Sequence, residues 1–337
     1  MKTMKNICKM MTAGILAAAL AGCASSPTAS ASVSSADAKA SDDGTYTVGI
    51  IQLVQHLALD AASQGFEDEL KAELGDKVTV TLKNASNDSA QCTTIANQFV
   101  TQGVDLILAN ATPSLQAAAS ATSTIPILGT AITEYGVALS LDDFNGTVGG
   151  NISGTSDLAP LDQQAAMFDE LLPDAKTIGI LYCSAEANSV YQAQQVQKYL
   201  EDEGKTVKVY TFSDSNDVAS VTQSACNDCD ALYIPTDNTA ASCAEAINNV
   251  AEPAGVPIIT GEEGIMSGCG IATMSIDYYK LGQTTGKMAV KILTGEEKIS
   301  DMPVEYYDNP VKEYDADRCA KLGITVPDGY QAYTAEN

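Results

Sequence analysis

The side chains in this sequence that could do chemistry sit just after short apolar runs, and they are hydroxyls, amides and carboxylates. Gln52 and His56 follow Val48-Gly49-Ile50-Ile51, and Thr112 follows Leu106-Ile107-Leu108-Ala109. Glu186, Asn188 and Ser189 follow Ile178-Gly179-Ile180-Leu181, Asp237 and Asn238 follow Leu232-Tyr233-Ile234-Pro235, and Glu262 follows Val256-Pro257-Ile258-Ile259. Such a set suits capture of a small polar molecule. A free amino acid, for instance, needs donors for its carboxylate and an acceptor, preferably charged, for its ammonium. Thr112, before Pro113, offers a hydroxyl beside the N–H groups and positive dipole end of a helix start. Asn188 and Ser189 could do the same from elsewhere in the chain; for all three the alternative is a cap that touches only its own helix. Asp237 is the expected ammonium partner, with an N-cap as its alternative. Glu186 and Glu262 are further polar contacts, and Asp157 and Asp277 hold either a hinge or the ligand.

His56 is the sole histidine. No activated nucleophile accompanies it in a recognisable motif, so ring stacking or hydrogen bonding near a ligand is expected, with a structural role at a helix start as the alternative. Tyr135 and Tyr278 supply either an aromatic wall or core and hinge packing. No GxxxxGK[ST] loop, GxSxG elbow or HExxH helix occurs, and neither metal nor cofactor is expected. Cys226-Asn227-Asp228-Cys229 has redox spacing, but Asp228 and Asp230 oppose a thiolate, so buried thiols are expected over a local disulfide. With 43 acidic and 18 basic residues the formal net charge is −25, which argues against binding a nucleic-acid backbone.

The elements that must position these residues alternate. Tyr46 to Leu53 is a strand buried on both faces, followed by a helical period at Leu59, Ala62, Phe66, Leu70 and Leu74 that Gly75 stops. Strands at 78–82, 104–109 and 125–129 alternate with helices at 90–102 and after Thr112. The same order then recurs from Ile178, and alternation of this kind implies βαβ units and parallel sheets. The predicted fold class is α/β: two Rossmann-like parallel-sheet lobes joined by three hinge crossings, near Asn151, Ser275 and Pro303. Residues 45–151 with 276–302 make the first lobe, and residues 152–275 with 303–333 the second. Strand C-terminal ends then face a shared cleft, where open α/β sheets bind ligands.

Lys2, Lys5 and Lys9 precede a small apolar run from Met10 to Gly22 that is too short to span a membrane but has signal-peptide length. Leu20-Ala21-Gly22-Cys23 resembles the bacterial lipoprotein signal, in which the cysteine is acylated. Residues 1–22 are therefore expected to be a signal peptide, and 23–44 a lipidated Cys23 with a flexible Ser/Ala-rich tether.

A family resemblance rests on several motifs in order: His56-Leu57-Ala58-Leu59-Asp60 with Gly65-Phe66, Asn151-Ile152-Ser153-Gly154-Thr155-Ser156-Asp157, Glu186-Ala187-Asn188-Ser189, Pro235-Thr236-Asp237-Asn238-Thr239, and Asp277-Tyr278-Tyr279-Lys280-Leu281-Gly282. From about Tyr46 to Tyr330 the chain resembles ABC-transporter substrate-binding lipoproteins of the tryptophan/tyrosine-binding group, which have the type I periplasmic-binding-protein fold. It departs from that pattern at Leu57, Cys183 and Glu134-Tyr135. The resemblance implies a monomeric, membrane-anchored protein on the extracytoplasmic face. It would hold an aromatic amino acid between its lobes and present it to ABC permease and ATPase subunits. The alternatives are a lipoprotein that signals to a membrane receptor, and a two-lobed racemase-like enzyme, which would need a thiol from each lobe.

Overall fold

The computed structural model describes residues 44–334; the expected signal peptide, Cys23 and the tether up to residue 43 lie outside them. The chain begins with β1 (Tyr46–Gln52), α1 (Leu57–Leu74), β2 (Val78–Asn84), α2 (Ser89–Gln102), β3 (Leu106–Asn110), α3 (Thr112–Ala121), β4 (Ile127–Ile132), α4 (Tyr135–Leu139) and β5 (Ile152–Ser156). It crosses to α5 (Leu161–Leu171), β6 (Thr177–Cys183), α6 (Ala187–Asp202), β7 (Thr206–Phe212), α7 (Val218–Asp228), β8 (Ala231–Ile234), α8 (Asn238–Ser242), α9 (Ala244–Ala254), β9 (Ile258–Thr260), α10 (Glu263–Cys269) and β10 (Ala272–Ser275). It returns with α11 (Tyr278–Leu293) and β11 (Glu305–Tyr306), then crosses again to β12 (Val311–Tyr314), α12 (Ala316–Leu322) and β13 (Gln331–Ala332).

Two sheets result, ordered β11-β5-β4-β3-β1-β2 and β13-β12-β10-β9-β8-β6-β7. All neighbouring strands are parallel except β10 and β12. This is the type I architecture of two α/β lobes. The crossings differ from the expected positions. Ile152 pairs with Ile127, so Ile152–Ser156 is an inner strand of the first lobe and the chain leaves that lobe only after Ser156. β11 pairs with β5 as well, which moves the third crossing from Pro303 to beyond Tyr306. Polar strand residues are stable there because partners far along the chain satisfy them. Ser153 Oγ donates to Met302 O at 3.1 Å, for example.

The register aligns strand ends. Gln52 stands beside Asn84 and Asn110, and Asn110 beside Thr130, which places their following loops at one edge of the first lobe. Apolar α1 positions Leu59, Ala62, Phe66 and Leu70 are buried as their spacing requires. On its other flank α1 meets α11 at very close range. A Cβ on Gly65 would lie 2.1 Å from Tyr279 O, and one on Gly282 would lie 2.1 Å from Ala62 O. These two glycines let the helix that returns from the second crossing seat itself directly on the first lobe.

All seven described cysteines are free and six are buried. Burial pushes the Cys226 thiol up to about 11. Among the described residues no helix is long and apolar enough to cross a membrane.

Candidate functional site

The facing strand ends of the two lobes and the first crossing enclose a cavity of about 10 Å³, room for roughly one water molecule. His56, Ala58 and Leu59 of the α1 start, Ala131 and Thr133 after β4, and Tyr278 of α11 border it from the first lobe. Asp157 stands at the crossing, and Asn188, Thr236, Asp237, Asn238, Ala241 and Glu262 close the other side.

Three buried carboxylates of the second lobe are occupied by that lobe's own backbone. Asp237 Oδ1 accepts from Ala240 N at 2.7 Å and its Oδ2 from Cys183 N at 2.7 Å. Glu262 accepts from Gly264 N and Ile265 N at the start of α10. Glu186 accepts from Asn238 N and Thr239 N at 3.0 and 2.8 Å, and from Asn238 Nδ2 and Thr239 Oγ1 at 2.6 and 2.7 Å. Burial pushes Glu262 up to about 7. Burial, then the neighbouring Glu186, pushes Asp237 up as well. Asp237 is thus a helix cap that also borders the cavity.

The first lobe and the crossing are arranged otherwise. His56 and Ala111 stand before α1 and α3 with no side-chain cap bond. Ala111 adopts φ 85° and ψ 156°, a conformation costly for any residue but glycine. Ala131 has φ 52° where the β4–β5 register shifts between Gly129 and Ile132. Past this irregularity Ile132 O receives Asp157 N at 3.1 Å, which fixes Asp157 at the mouth of the crossing. Tyr278 donates its hydroxyl to Asp157 Oδ2 at 3.0 Å, while Oδ1 has no partner. Burial pushes the Asp157 carboxyl up to about 6, against the lowering effect of the Thr133 and Tyr278 hydroxyls. Burial pulls His56 below its usual value; its bond to Asn238 and the Glu186 and Asp60 carboxylates act the other way.

Of the residues singled out in the sequence, His56, Asp157, Asn188, Asp237, Asn238, Glu262 and Tyr278 border the cavity. Gln52 is buried behind it, donating to Val54 O and Asp60 and accepting from Ser63. Thr112 is buried as the first residue of α3, with Ala111 rather than Thr112 in the cap position. Glu186 and Ser189 lie behind the wall, Glu186 holding α8 and Ser189 bonded to Asn188 and Asp237. Asp277 caps α11 through Lys280 N and pairs with the Lys280 ammonium at 2.7 Å, away from the cavity. Tyr135 is fully buried in the first-lobe core, stacked on Phe144. Thr133 and Thr236 complete the wall. Asp157, which the sequence leaves between hinge and ligand, borders the cavity at the start of the first crossing.

Among the described residues, hydrogen bonds join the lobes across the cleft at several points. His56 Nε2 meets Asn238 Oδ1 at 3.2 Å, Asn87 Nδ2 donates to Thr239 Oγ1 at 3.0 Å, and Gln192 Nε2 donates to Thr133 Oγ1 at 3.4 Å. As it stands, the space between the walls admits about one water molecule.

A profile of the family described as ABC transporter substrate binding protein matches residues 47–337. A tyrosine-binding protein of Clostridioides difficile is 36% identical over 311 residues, covering 90% of this chain and 88% of that one. The structure of an ABC domain from Streptococcus pneumoniae in complex with L-Trp has a TM-score of 0.81 at 34% identity, covering 84% of this chain and 96% of that one. A ligand-free, open substrate-binding protein with adhesive properties from Clostridium difficile has a TM-score of 0.66 at 36% identity, covering 87% and 100%. The chain therefore superposes better on the L-Trp complex than on the open protein, although the open protein is slightly nearer in sequence.

Proposed function

The chain belongs to the ABC transporter substrate-binding protein family, and from that premise we propose that it binds an aromatic amino acid between its lobes and presents it, as a lipoprotein anchored through Cys23, to an importer's permease and ATPase. The family is extracytoplasmic, in keeping with the signal-like leader. The observation that carries the reading is the cavity itself. Residues of both lobes and of the crossing surround it, and three of them carry a buried polar atom with no partner. Ligand held by both sides stabilises the closed arrangement through the contacts that closure adds.

The uncapped start of α1 suits the ligand carboxylate, since its first N–H groups and dipole favour an anion. Asp157 replaces Asp237 as the preferred ammonium partner, because one of its oxygens is unengaged while both oxygens of Asp237 accept backbone N–H groups. A two-thiol racemase reading has little support. No cysteine borders the cavity, and burial and the Asp237 charge push the Cys183 thiol up to about 11.

A thermal-shift screen of residues 44–337 against the standard amino acids and nucleosides tests the ligand class. Ligand at one hundred times its dissociation constant stabilises by ~2.7 kcal/mol, so tryptophan or tyrosine should raise the melting temperature by several degrees. A panel in which only nucleosides or only aliphatic amino acids shift it refutes the aromatic assignment. Cys23→Ser should abolish membrane partitioning of the full chain, and unchanged partitioning removes the anchor.

A further inference from the structure

Four buried side-chain polar atoms among the described residues lack a partner, and three of them, His56 Nδ1, Asp157 Oδ1 and Asn188 Oδ1, belong to residues that border the one-water cavity. Their surroundings make all three acceptors. Asn188 Nδ2 donates to Thr236 O at 2.9 Å, which orients the amide and leaves its oxygen unengaged. Asn238 Nδ2 donates to Glu186 at 2.6 Å, so Asn238 turns its oxygen to His56. His56 Nε2 must then carry the hydrogen, and the neutral ring leaves a lone pair on Nδ1. Asp157 Oδ2 is engaged by the Tyr278 hydroxyl and Oδ1 is open.

An unsatisfied buried acceptor is unfavourable, and three around one small space call for a donor-rich guest. Water offers two hydrogens, a primary ammonium three, and the ammonium has no lone pair to misplace. Among the described residues no Lys or Arg borders the cavity, whereas the Asp157 carboxyl does, so a cation is favoured there.

We propose that His56, Asp157 and Asn188 form an ammonium cage, which takes one N–H of the ligand's primary amine on each of His56 Nδ1, Asp157 Oδ1 and Asn188 Oδ1. The inference rests on the amino-acid reading above and deepens it. It gives His56 the role of a neutral acceptor in place of a stacking ring or acid–base group. It also divides the cage among the first lobe, the crossing and the second lobe, so that the amine is the part of the ligand that registers closure.

Calorimetry on the wild-type body tests this without any variant that has to fold. The probes are L-tryptophan, N-methyl-L-tryptophan, N,N-dimethyl-L-tryptophan and indole-3-propionate, with the L-tyrosine equivalents as a second set. Removal of the amine should weaken binding at least a hundredfold, and each methyl group, by removing one N–H and adding bulk, about tenfold. His56→Phe should weaken L-tryptophan about tenfold and narrow the gap between the free and N-methylated amine. Indole-3-propionate or the dimethyl compound binding within threefold of L-tryptophan overturns the cage and leaves the aromatic reading standing. A non-aromatic amino acid that binds with the same dependence on its amine supports the cage and refutes the aromatic reading. If no primary amine binds, both fall.

Discussion

Two pairs of helix starts are held in opposite ways, α8 and α10 of the second lobe against α1 and α3 of the first, although α6 of the second lobe is uncapped and α2 of the first is capped. In the second lobe α8 and α10 begin under buried carboxylates: Asp237 and Glu186 hold the first, Glu262 the second. In the first lobe α1 and α3 begin at His56 and Ala111, with no side-chain bond to their N–H groups. A helix start attracts anions through its exposed N–H groups and dipole. At α8 and α10 that demand is satisfied by side chains of the same lobe. At α1, which borders the cavity, it is left open, and this is the start we propose for the ligand carboxylate. The asymmetry separates two jobs that residue type alone would confuse, because a carboxylate in a cleft can serve its own backbone or a guest.

The largest expected effect comes from removing the carboxylate on which the second lobe's face depends. Glu186→Ala strips the acceptor from two backbone and two side-chain donors, all buried. It should destabilise the protein by ~3 kcal/mol or more, since hydrogen bonds to charged groups and unsatisfied buried donors are each worth ~1–3 kcal/mol. Glu186→Gln should cost less, because one oxygen still accepts. Urea denaturation of both variants measures this, and a loss under 1 kcal/mol for the alanine would remove the claim that the second lobe is internally satisfied.

In the first lobe the corresponding weak point is packing. Gly282→Ala forces a methyl group against Ala62 O, a backbone atom that cannot swing aside. Overpacking of this kind costs ~1–3 kcal/mol. Because α11 also carries Tyr278, the variant should displace the hydroxyl from Asp157 and weaken ligand binding in the same preparation. Intact affinity alongside lost stability would show that α11 anchors the lobe without positioning the site.

How far this asymmetry can be read from sequence depends on where the partners of each residue lie. Apolar runs such as Val48-Gly49-Ile50-Ile51 and Ile178-Gly179-Ile180-Leu181 declare buried strands by composition, and both are strands. Gly149 to Gly154 reads as a crossing because it is polar and glycine-rich. A strand starts within it, at Ile152, because Gly154 fits against Gly129, where a Cβ would lie 2.1 Å from the carbonyl oxygen, and because Met302 accepts from Ser153. Those partners are 25 and 149 residues away, beyond any local pattern. The misplaced crossing in turn left Asp157 between a hinge and a ligand role. Asp237 illustrates a different limit. The motif delivers it to the cleft wall, but only the positions of Ala240 N and Cys183 N reveal that both oxygens are engaged.

Titration separates the two lobes further. Asp157 is pushed up to about 6 from 3.8 and Glu262 to about 7 from 4.5, with Asp237 raised as well. A carboxyl raised in this way binds its proton more tightly in the folded than in the unfolded chain. Its stabilising contribution is therefore full below the ordinary value and is lost as pH rises through the folded one. His56 is shifted down and acts in the opposite sense, lowering stability below its ordinary value of 6.5. Urea stability of the free protein should therefore rise as pH falls from 8 toward 6.5. Ligand affinity should run the other way, rising between pH 5 and 7, because an ammonium favours ionised Asp157 and binding must expel its proton. Calorimetry in buffers of different ionisation enthalpy would register that release near pH 6. Parallel slopes for stability and affinity would place the ammonium away from Asp157.

The smallest effect tests whether the open helix starts of the first lobe carry a cost. Ala111 holds φ 85° and ψ 156° ahead of α3, a region in which a Cβ costs ~1–3 kcal/mol. Glycine adopts this conformation freely but loses ~0.5–1 kcal/mol to its greater unfolded-state entropy. Ala111→Gly should therefore stabilise the protein by roughly 1 kcal/mol. Asp88, by contrast, caps α2 in the same lobe by accepting from Ala90 N at 2.8 Å and Gln91 N at 3.3 Å. Asp88→Ala should destabilise by about 1 kcal/mol, the usual value of an N-cap. Measured side by side in urea, the two variants should move the midpoint in opposite directions by similar amounts. If Ala111→Gly destabilises instead, the backbone ahead of α3 is not strained. The uncapped starts of α1 and α3 would then be no less relaxed than the capped starts of α8 and α10, and the difference between the two pairs would lie in charge alone.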